Sequence, residues 1–526
     1  MAVPVRHGDI LRNYVTTTAN PAWARDLVCL AVNTNGNLSD DDRMLIWQEY
    51  DSGSTTTSQV LPPGLGAPYP KVELMKLSHH HGVNALAGNQ DIVFCNEGIT
   101  LLFGQNRSGK SGYFRVLNQL ASGKIPFKIH KHLYSAAPDP ISVSVEYHKD
   151  GINQPVFTWD GESPCPQELR HIRCFDSHYA AHFLEPRDGN TYLFDSYSLK
   201  VFRSINETLH YLKEDLGLAI DATTESALNS LCTSAYRDSL KQALLGAFRN
   251  ELANLGMQNL NANLVVDDLL ADGSKIAIQI VNNLNVESVL SEAELKCAAI
   301  ALFLAECELM AVKQPIIFDD PVNSLDNIII QAFAERLSRM DCEVVVFTHN
   351  ILLMEALTDK RKFKVYYDPS ANRSAATTAK KHVLMYDIVA NDNNTGFVMG
   401  ASAKKTKFFL DRANSALATA GPLSNVNHII SDLRMAVEWA IDEVVFRGLV
   451  PHRFKGNQQI DWQGLRDMAS AGDQNINDLK TNYDKLSTMG MHLGIASYAV
   501  TPTPAGLQAI HDDILRIIDS SNIKQD

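Results

Sequence analysis

One eight-residue stretch, Gly104–Ser111 (GQNRSGKS), constrains the fold of this chain most, because it matches the pattern G-x-x-x-x-G-K-[ST]. Apolar residues 99–103 precede it as a predicted buried strand, and residues 112–120 follow with helical spacing. A loop between a strand and a helix N-terminus binds phosphate through inward-pointing N–H groups and the helix dipole. The predicted phosphate-binding residues are Gly104, Asn106, Ser108, Gly109 and Lys110, and Ser111 is the predicted Mg²⁺ ligand.

Length and composition indicate a globular chain of more than one domain. Its 526 residues exceed one ordinary core, and 45% hydrophobic with 20% charged residues is typical of a soluble protein. Residues 1–7 lack the apolar segment of a signal peptide, and no apolar run is long enough to span a bilayer, so we expect a cytoplasmic protein. The eight cysteines include no C-x-x-C pair, which argues against a disulfide framework or a zinc site.

The pattern of the chain predicts three regions. Residues 1–70 are expected to form an N-terminal helical extension and linker, because helical spacing and an acidic N-cap at Ser39 precede a Ser-, Thr-, Pro- and Gly-rich stretch. Residues 71–358 are expected to form the nucleotide-binding head, with antiparallel strands and a helical insertion at about 140–260. Residues 359–526 are expected to form a C-terminal effector or docking domain.

Several shorter patterns refine this division. Residues 141–147 and 155–159 alternate in polarity and predict an antiparallel pair, and residues 172–176 predict a further short strand. The helical spacing of residues 199–260 does not hold a period of 3.5, so we expect a short helical arm and no long coiled coil. Three consecutive histidines at 79–81 cannot all face one ion on a regular element, which favours a solvated turn over a metal site.

A second group of residues places acidic and basic side chains at the ends of predicted strands. Residues 315–320 form an apolar strand that ends in Asp319 and Asp320. In a P-loop protein the first acid holds Mg²⁺ through water and the second polarises the attacking water. A further apolar strand ends in His349, at the edge where ligands of α/β sheets bind. Ser291 and Glu294 form a predicted capping box that opens a helix.

Together, residues 104–111, 290–294, 318–326 and 347–349 resemble the ABC-type ATPase core of the SMC and Rad50-like proteins, over roughly residues 80–355. The resemblance implies an α/β fold, an ABC-type P-loop ATPase head with a short helical arm and a mostly helical C-terminal domain, that uses ATP and Mg²⁺. It implies that Ser291 meets the γ-phosphate of a neighbouring subunit, that Asp326 is the D-loop acid and that His349 is the switch histidine. ATP would then be sandwiched between two heads of a homo-oligomer.

Three residues depart from the pattern of that family. Arg107 and Ala293 stand where glycines are usual, and Asp320 replaces the usual glutamate. A carboxylate that is one methylene shorter reaches the water less well, and a rise of about 1.4 kcal/mol in the barrier slows a reaction about tenfold. We therefore expect slow hydrolysis, and a nucleotide-holding clamp fits the sequence as well as a fast motor does.

A narrower likeness covers residues 83–87, 109–117, 319–326 and 433–438, which resemble the bacterial defence ATPases of the anticodon-nuclease type (PrrC- and RloC-like). Those proteins join such a head to a C-terminal ribonuclease with an R-x-x-x-E pair and a later histidine. The matching residues here are Arg434, Glu438 and His492, which would form a catalytic set directed at tRNA. Without the resemblance, Arg434 and Glu438 are an i,i+4 pair that is equally at home as an inert ion pair on a helix surface.

The net charge of −13 argues against non-specific coating of nucleic acid, and any nucleic-acid contact must be local. Between Lys360 and Arg412 the chain has eleven Lys or Arg residues against four acids. This surplus fits a contact with a phosphate backbone, of RNA or DNA, and it fits a solvated linker face equally well.

Two functions follow from these observations. In the first, the chain is an ATPase of an anti-phage defence system that gates a nuclease activity, its own C-terminal tRNA-directed ribonuclease. In the second, it resembles the Septu-type ATPase PtuA and is a scaffold or sensor that regulates a separate nuclease, such as an HNH protein, or a toxin subunit. A role in DNA repair is disfavoured by the lack of a long coiled-coil pattern.

Overall fold

A computed structural model of the chain describes residues 7–34, 36, 38–53, 70–121, 129–131, 139–176, 184–188, 191–194, 199–235, 240–257, 264–269, 276–280, 291–310, 312–367, 380–390, 395–400, 405–418, 426–445, 474–488 and 502–520. The chain divides into two compact units. The first comprises Met1–Val365 and Arg373–Leu384, and the second comprises Tyr366–Asn372 and Met385–Asp526. The division therefore falls a few residues after the expected boundary at 358, and the N-terminal helices belong to the first unit. Most of the expected linker, residues 54–69, lies outside the described residues.

The main sheet of the first unit carries the phosphate-loop motif at one edge. Its strands in spatial order are β14 (Phe363–Tyr366), β15 (Lys381–Val389), β3 (Ile99–Phe103), β13 (Val344–Thr348), β12 (Ile316–Asp319) and β7 (Arg173–Asp176). The last four strands run parallel to one another and pair in continuous register. The carboxyl ends of these four strands therefore meet along one edge, which is where ligands of α/β sheets bind.

Burial on both faces explains why these strands are apolar along their length. Every residue of β3, β12 and β13 is buried, as expected for parallel strands covered by helices on each side. Phe318 on β12 packs against Phe175 on β7, and their ring centroids are 6.1 Å apart. On the helical side its ring lies 5.7 Å from that of Phe303 and 5.3 Å from that of Phe333. The predicted strands at 99–103, 172–176, 315–320 and 342–350 are confirmed.

Helices join and cover the parallel strands. Those nearest the sheet are α4 (Lys110–Leu120), α8 (Glu292–Leu309), α9 (Asn327–Ser338) and α10 (Ile351–Leu357). The helix α8 is almost wholly buried after its first turn, which fits its run of alanine, leucine and isoleucine. Its start at Ser291 is set by the capping box, as predicted.

A second, antiparallel sheet lies in the same unit. Its strands are β1 (Val72–His81), β2 (Gln90–Val93), β4 (Ser142–Lys149), β5 (Ile152–Asn153) and β6 (Phe157–Trp159). The predicted antiparallel pair is confirmed, because Val143 lies opposite Trp159 and Val145 lies opposite Phe157.

The expectation of a solvated turn at residues 79–81 is wrong, because the three histidines end strand β1. His79 is buried, and its Nδ1 lies 2.8 Å from the Ala87 carbonyl oxygen. The Nε2 atom of His80 lies 2.8 Å from the Ser144 hydroxyl on the neighbouring strand. Successive strand residues point to opposite faces, so these rings make structural hydrogen bonds and do not converge on one ion.

Helices that precede the two sheets in the chain, and helices inserted between β7 and β12, complete the first unit. The N-terminal helices are α1 (His7–Thr16), α2 (Ala22–Asn33) and α3 (Asp40–Ser52), and the inserted helices are α5 (Lys200–His210), α6 (Ala222–Ala235) and α7 (Lys241–Asn254). The N-terminal helices pack on α5 and α6, and the Tyr50 hydroxyl donates to the Ala219 carbonyl. The described α-helices of the insertion have 11 to 14 residues, and α5 continues as one π-helical turn over Tyr211–Asp215, so the predicted short arm is confirmed for the part of the chain that the structure describes.

A buried ion pair ties the insertion to the head. Arg336 on α9 donates to both carboxylate oxygens of Glu251 on α7, at 2.8 Å from Nε and 2.7 Å from Nη2. Both side chains are buried, and burial with the fork-shaped guanidinium geometry makes such a pair costly to break. Four further strands of the unit, β8 (Leu184–Asp188), β9 (Thr191–Phe194), β10 (Leu264–Leu269) and β11 (Ile276–Ile280), form a small antiparallel sheet.

The second unit is mostly helical. Its helices α11 (Lys405–Ala418), α12 (Val426–Ala440), α13 (Gln474–Thr488) and α14 (Pro504–Ser520) pack on one another. The last residues of β15 pair with β16 (Phe397–Gly400). The apolar face of α12 is buried, and the helix continues as one π-helical turn over Ile441–Val445.

Two features are absent among the described residues. None of the described helices combines the length and the apolar character needed to cross a membrane. Seven of the eight cysteines have described side chains, and these seven are free thiols.

Candidate nucleotide-binding site

The loop at residues 104–111 wraps around the ammonium group of Lys110. The Lys110 side chain is buried, and its Nζ donates to the carbonyl oxygens of Gly104 at 2.8 Å and Gln105 at 3.0 Å. The Gly104 N–H donates to the Thr348 carbonyl on the neighbouring strand at 3.1 Å, which anchors the start of the loop. Gly109 has φ +102° and caps helix α4, a conformation that glycine adopts without strain.

Arg107 occupies the loop position at which the sequence departs from the family pattern. Its φ is +67°, in the left-handed region where a side chain is unfavourable and glycine is not. The loop therefore has the left-handed backbone conformation that glycine adopts without strain. Placing an arginine there costs about 1 kcal/mol of stability. Asn106 and Arg107 are exposed, whereas Ser108 is buried with a hydroxyl that has no hydrogen-bond partner among the described residues.

Asp319 stands at the end of β12, opposite the first residues of α4. It is buried, and one of its oxygens accepts a hydrogen bond from the Ser111 hydroxyl. The other oxygen, Oδ1, has no hydrogen-bond partner among the described residues. Burial is the largest cause that raises the pKa of Asp319 to about 7, and the charges of Asp320 and Asp176 act in the same direction. The hydrogen bond from Ser111 and the charge of Lys110 act against that rise. The two predicted Mg²⁺ ligands, Ser111 and Asp319, are therefore together, and their hard oxygen atoms fit a divalent cation.

Asp320 and His349 meet as predicted. The backbone N–H of His349 donates to Asp320 Oδ1 at 2.8 Å, and the ring Nδ1 lies 2.9 Å from the same oxygen. The Asp320 N–H in turn donates to the Phe347 carbonyl at 2.8 Å. Asp320 has φ +44°, so the chain leaves β12 through a strained turn that aims this carboxylate at the histidine.

The order of the strands explains this meeting. Strand β13 lies between β3, which leads into the phosphate loop, and β12, which ends in the two acids. His349 follows β13 directly and therefore lies between the loop and Asp320. The strand order could not be read from the sequence, although each strand could.

Ser291 and Asp326 lie on exposed parts of the first unit. Ser291 is the N-cap of α8: its hydroxyl accepts from the Glu294 N–H at 3.3 Å, and Glu294 Oε2 accepts from the Ser291 N–H at 2.8 Å. Leu290, the first residue of that motif, lies outside the described residues. Asp326 is the N-cap of α9 and makes no side-chain capping hydrogen bond. Neither residue lies in the phosphate loop of its own chain.

Two residues of this region were not identified from the sequence. Lys296, buried on the second turn of α8, donates from Nζ to the Asn323 carbonyl at 2.7 Å and holds the turn that leads to Asp326. Asp176 ends β7 and is the register partner of Asp319. Its position at the end of a predicted strand was a usable signal. No sequence signal indicated Lys296, because a lysine near a helix start is usually solvated.

The C-terminal pair, Arg434 and Glu438, is a buried ion pair. Arg434 Nε donates to Glu438 Oε1 at 3.0 Å, and the exposed fractions of the two side chains are 19% and 1%. Arg434 also hydrogen-bonds the hydroxyl of Tyr483 on α13. The alternative of a pair on a solvated surface is therefore wrong for Glu438, because the packing of α12 against α13 encloses it. His492 lies outside the described residues, so its relation to the pair is not defined.

The basic stretch between 360 and 412 does not form one free surface. Lys381 donates to the carbonyl oxygens of Met340 and Cys342, at 2.7 Å and 2.8 Å. In the second unit, Arg412 is enclosed between Asp387 and Asp432, at 3.4 Å and 3.3 Å. Lys381 and Arg412 are thus engaged by groups of their own unit. Fewer basic residues of this stretch are left to contact a phosphate backbone.

One cavity of the first unit lies away from the predicted site. It has a volume of about 380 Å³, lies at the amino-terminal edge of the main sheet and is lined among others by Glu343, Lys381 and Arg339. The phosphate loop, Asp319 and Asp320 lie at the opposite edge. No three His, Cys, Asp or Glu side chains of the described residues gather closely enough to hold a metal, so an ion at Ser111 and Asp319 needs ligands from elsewhere, such as phosphates.

The fold and the site thus define an α/β protein of the P-loop ATPase-head type with additional helical parts. It is similar to the SMC head domain from Thermotoga maritima, with 16% identity, 63% of this chain and 99% of that chain covered, and a TM-score of 0.31. It is also similar to the Smc head domain with an extended coiled coil from Pyrococcus furiosus, with 13% identity, 65% and 100% covered and a TM-score of 0.38. For the recombination mediator RecF the identity is 13%, the coverage 54% and 94% and the TM-score 0.33.

No protein-family model matches the chain, and no curated protein matches it either. Because the structural likenesses are distant, the function proposed below rests on the geometry of the site.

Proposed function

We propose that the chain is an ABC-type ATPase that binds ATP with Mg²⁺ at the loop of residues 104–111. The observation that carries this proposal is the pairing of Ser111 with Asp319, beneath a loop folded around Lys110. Backbone N–H groups, the α4 N-terminus and the lysine suit the β- and γ-phosphates. Ser111 and Asp319 suit Mg²⁺, which prefers hard oxygen ligands and would neutralise phosphate charge.

Calorimetric titration with ATP and Mg²⁺ tests this proposal. Lys110→Ala should weaken ATP binding at least tenfold, because one charge-assisted contact to phosphate is lost. Lys76→Ala is a matched control, since Lys76 is a lysine of the same unit paired with Asp91 on the antiparallel sheet. Equal affinity of the wild type and Lys110→Ala would rule out the loop as the nucleotide site.

The proposed hydrolytic group is Asp320, oriented by His349. A water aligned with the γ-phosphate would donate a hydrogen bond to Asp320, and the contacts from His349 hold that carboxylate in place. The Asp320 side chain is short, and its Oδ1 atom is already contacted by both the N–H and the ring of His349. Both features fit slow turnover of ATP. We therefore expect the nucleotide-bound state to persist, as in a clamp.

We further propose that ATP joins two heads. Ser291 is exposed and distant in sequence from the loop, and Asp326 has no capping role, so both are available to a second copy. Ile328, in the first turn of α9 beside Asp326, is 80% exposed, which fits a surface covered on association. A C2 pair would let each head complete the other's site.

Sedimentation velocity with and without ATP tests the pairing. Ser291→Arg should abolish ATP-dependent association, because the side chain would project into the shared interface. Ser39→Arg is the control, since Ser39 caps α3 with the same capping-box geometry and lies on the N-terminal helices. An identical oligomer with and without ATP would contradict the composite site, and so would loss of association in both variants.

The effector function that we propose is the gating of a nuclease in anti-phage defence. Its support is the resemblance of the sequence to anticodon-nuclease ATPases and the buried Arg434–Glu438 pair with Tyr483 alongside. A half-buried arginine beside a carboxylate can stabilise the charge of a phosphorane, and His492 would supply the acid or base. The substrate would be tRNA or another nucleic acid.

A second candidate has the same head and a different effector. Burial of Glu438 fits a structural pair in a helical domain that docks a separate nuclease or toxin subunit. Expression of the chain alone, followed by sequencing of cleaved cellular RNA, separates the two. Cleavage that depends on Arg434 supports the intrinsic ribonuclease, and intact RNA supports a partner nuclease.

A further inference from the structure

The cavity of about 380 Å³ at the amino-terminal edge of the main sheet lies where strands β3, β12 and β13 begin. The phosphate loop lies at the other edge, where these strands end. Ligand pockets in proteins commonly have volumes of about 300–1,000 Å³, so the cavity has room for a small organic molecule. All of its lining residues belong to the first unit. The cavity is therefore separate from the nucleotide site and complete within one unit.

Positive charge predominates along the wall of this cavity. The lysine and arginine side chains that line it are Lys71, Lys313, Arg339, Lys380 and Lys381. The carboxyl groups that line it are those of Glu73, Glu97, Asp341 and Glu343. Burial raises the pKa of Glu343 to about 8, and burial lowers the pKa of His382, which also lines the cavity, so both groups are uncharged at neutral pH. Five cations then face three carboxylates, and this surplus favours an anionic ligand.

Two exposed cations at the cavity have no carboxylate partner among the described residues. The guanidinium of Arg339 makes no hydrogen bond or ion pair within the described part of the chain. The Nζ atom of Lys380 donates to the Lys360 carbonyl oxygen at 2.8 Å and to no carboxylate of the described residues. A guanidinium binds carboxylate and phosphate groups through two parallel hydrogen bonds, and a neighbouring ammonium adds charge. Arg339 and Lys380 are therefore available to an anion.

Glu343 adds a buried hydrogen-bonding group to the same cavity. The residue is 5% exposed, and its Oε2 atom accepts a hydrogen bond from the Leu74 N–H at 2.9 Å. Its Oε1 atom is buried and has no hydrogen-bond partner among the described residues. A protonated carboxyl group donates one hydrogen bond, and leaving that donor buried without an acceptor is unfavourable. An oxygen atom of a ligand would supply the acceptor.

We propose that this cavity binds a small organic anion, with a carboxylate or phosphate group held by Arg339 and Lys380 and a further oxygen atom bonded to Glu343. The site shares no residue with the loop at 104–111 or with the acids at 319 and 320. Its ligand would contact residues 339–342, which join α9 to β13. The proposal therefore stands independently of the proposed nucleotide site.

Calorimetric titration of the full chain with phosphoglycolate tests this proposal, because the probe carries one carboxylate and one phosphate group. Binding to Arg339→Gln should be about tenfold weaker than binding to the wild type, because a charge-assisted contact is lost. Lys380→Gln should also weaken binding, and it keeps the test decisive if Arg339→Gln does not fold. Arg361→Gln is the matched control, since Arg361 is an exposed arginine of the same unit that pairs with Asp359 and does not line the cavity.

Separate titrations with glycolate and with methyl phosphate identify the group that is recognised. Binding of either probe that depends on Arg339 supports the proposal and assigns the carboxylate or the phosphate to the arginine. The phosphate loop also suits a phosphate-bearing probe, so Lys110→Ala is titrated alongside. Unchanged affinity for phosphoglycolate in Lys110→Ala and Arg361→Gln, together with the loss in Arg339→Gln, supports the cavity as the site.

Three results would overturn the proposal. The first is the absence of phosphoglycolate binding to the wild type at about 10 mM probe, a concentration at which even millimolar affinity is detected. The second is affinity within about twofold of the wild type in both Arg339→Gln and Lys380→Gln, since the charge-assisted contacts would then be absent. The third is a loss of binding in Lys110→Ala alone, which would place the probe at the phosphate loop. Each of these results leaves the proposal for ATP at residues 104–111 intact.

Discussion

Removal of Arg434 is expected to destabilise the second unit by about 3 kcal/mol. The size follows from burial: Glu438 is 1% exposed in its side chain and lies 3.0 Å from Arg434 Nε. Breaking a buried pair leaves a charge in the interior and costs about 3–5 kcal/mol, and the 19% exposure of Arg434 places this case at the lower end. An i,i+4 pair on a surface would contribute only a few tenths of a kcal/mol.

Urea denaturation of a double-mutant cycle measures this difference. Arg434→Ala should cost more than Glu438→Gln, because only the first leaves a carboxylate buried without its cation. We expect a coupling free energy of about 1–3 kcal/mol between the two sites. Lys480→Ala is the matched control, since Lys480 and Asp484 form an exposed i,i+4 pair on α13 and its loss should cost under about 0.5 kcal/mol.

A cost for Arg434→Ala no larger than that for Lys480→Ala would contradict this expectation. The pair would then be solvated, and the packing of α12 against α13 would not enclose it.

A test of the function of Arg434 needs a variant that stays folded. Arg434→Lys keeps the charge and loses the planar fork, so a catalytic arginine predicts loss of RNA cleavage with most of the stability retained. A structural pair predicts that cleavage, or protection against phage, survives in Arg434→Lys.

Substitutions at three residues, Asp320, His349 and Glu343, test the head. Asp320→Asn should stop hydrolysis of ATP and leave ATP affinity unchanged, whereas Asp320→Glu should raise the turnover rate by bringing the carboxylate nearer the water; equal rates for the wild type and Asp320→Asn in a phosphate-release assay would move the role to another group. His349→Ala should slow turnover, since it removes the ring contact to the Asp320 carboxylate and leaves only the backbone N–H to hold it, and an unchanged rate would contradict this positioning role of the ring. Burial raises the pKa of Glu343 from 4.5 to about 8, so the folded state keeps a proton that the unfolded chain releases and stability must fall as pH rises from 4.5 to 8. In urea titrations Glu343→Gln should lack this fall, which is on the order of 4 kcal/mol, and parallel pH profiles of the two proteins would show that Glu343 ionises normally.

Local sequence patterns were sufficient to predict these helices and strands and the phosphate loop. The strand at 99–103, the capping box at Ser291 and the strand that ends in Asp319 depend on residues near in sequence, and each is found where it was predicted. The spacing of glycines and Lys110 likewise defines a loop whose backbone is set locally. These features follow from the sequence because hydrogen bonds within a turn or a helix involve neighbours only.

Contacts between distant elements were decided by the tertiary structure. The histidines at 79–81 resemble a turn in sequence, and pairing with β4 makes them a strand. Arg434 and Glu438 have the spacing of a surface pair, and packing against helices distant in sequence, α13 among them, buries Glu438. Asp176 and Asp319 are joined only by the order of strands in the sheet. Burial and register depend on which segments pack together. A periodic pattern within one segment does not indicate which other segment it packs against.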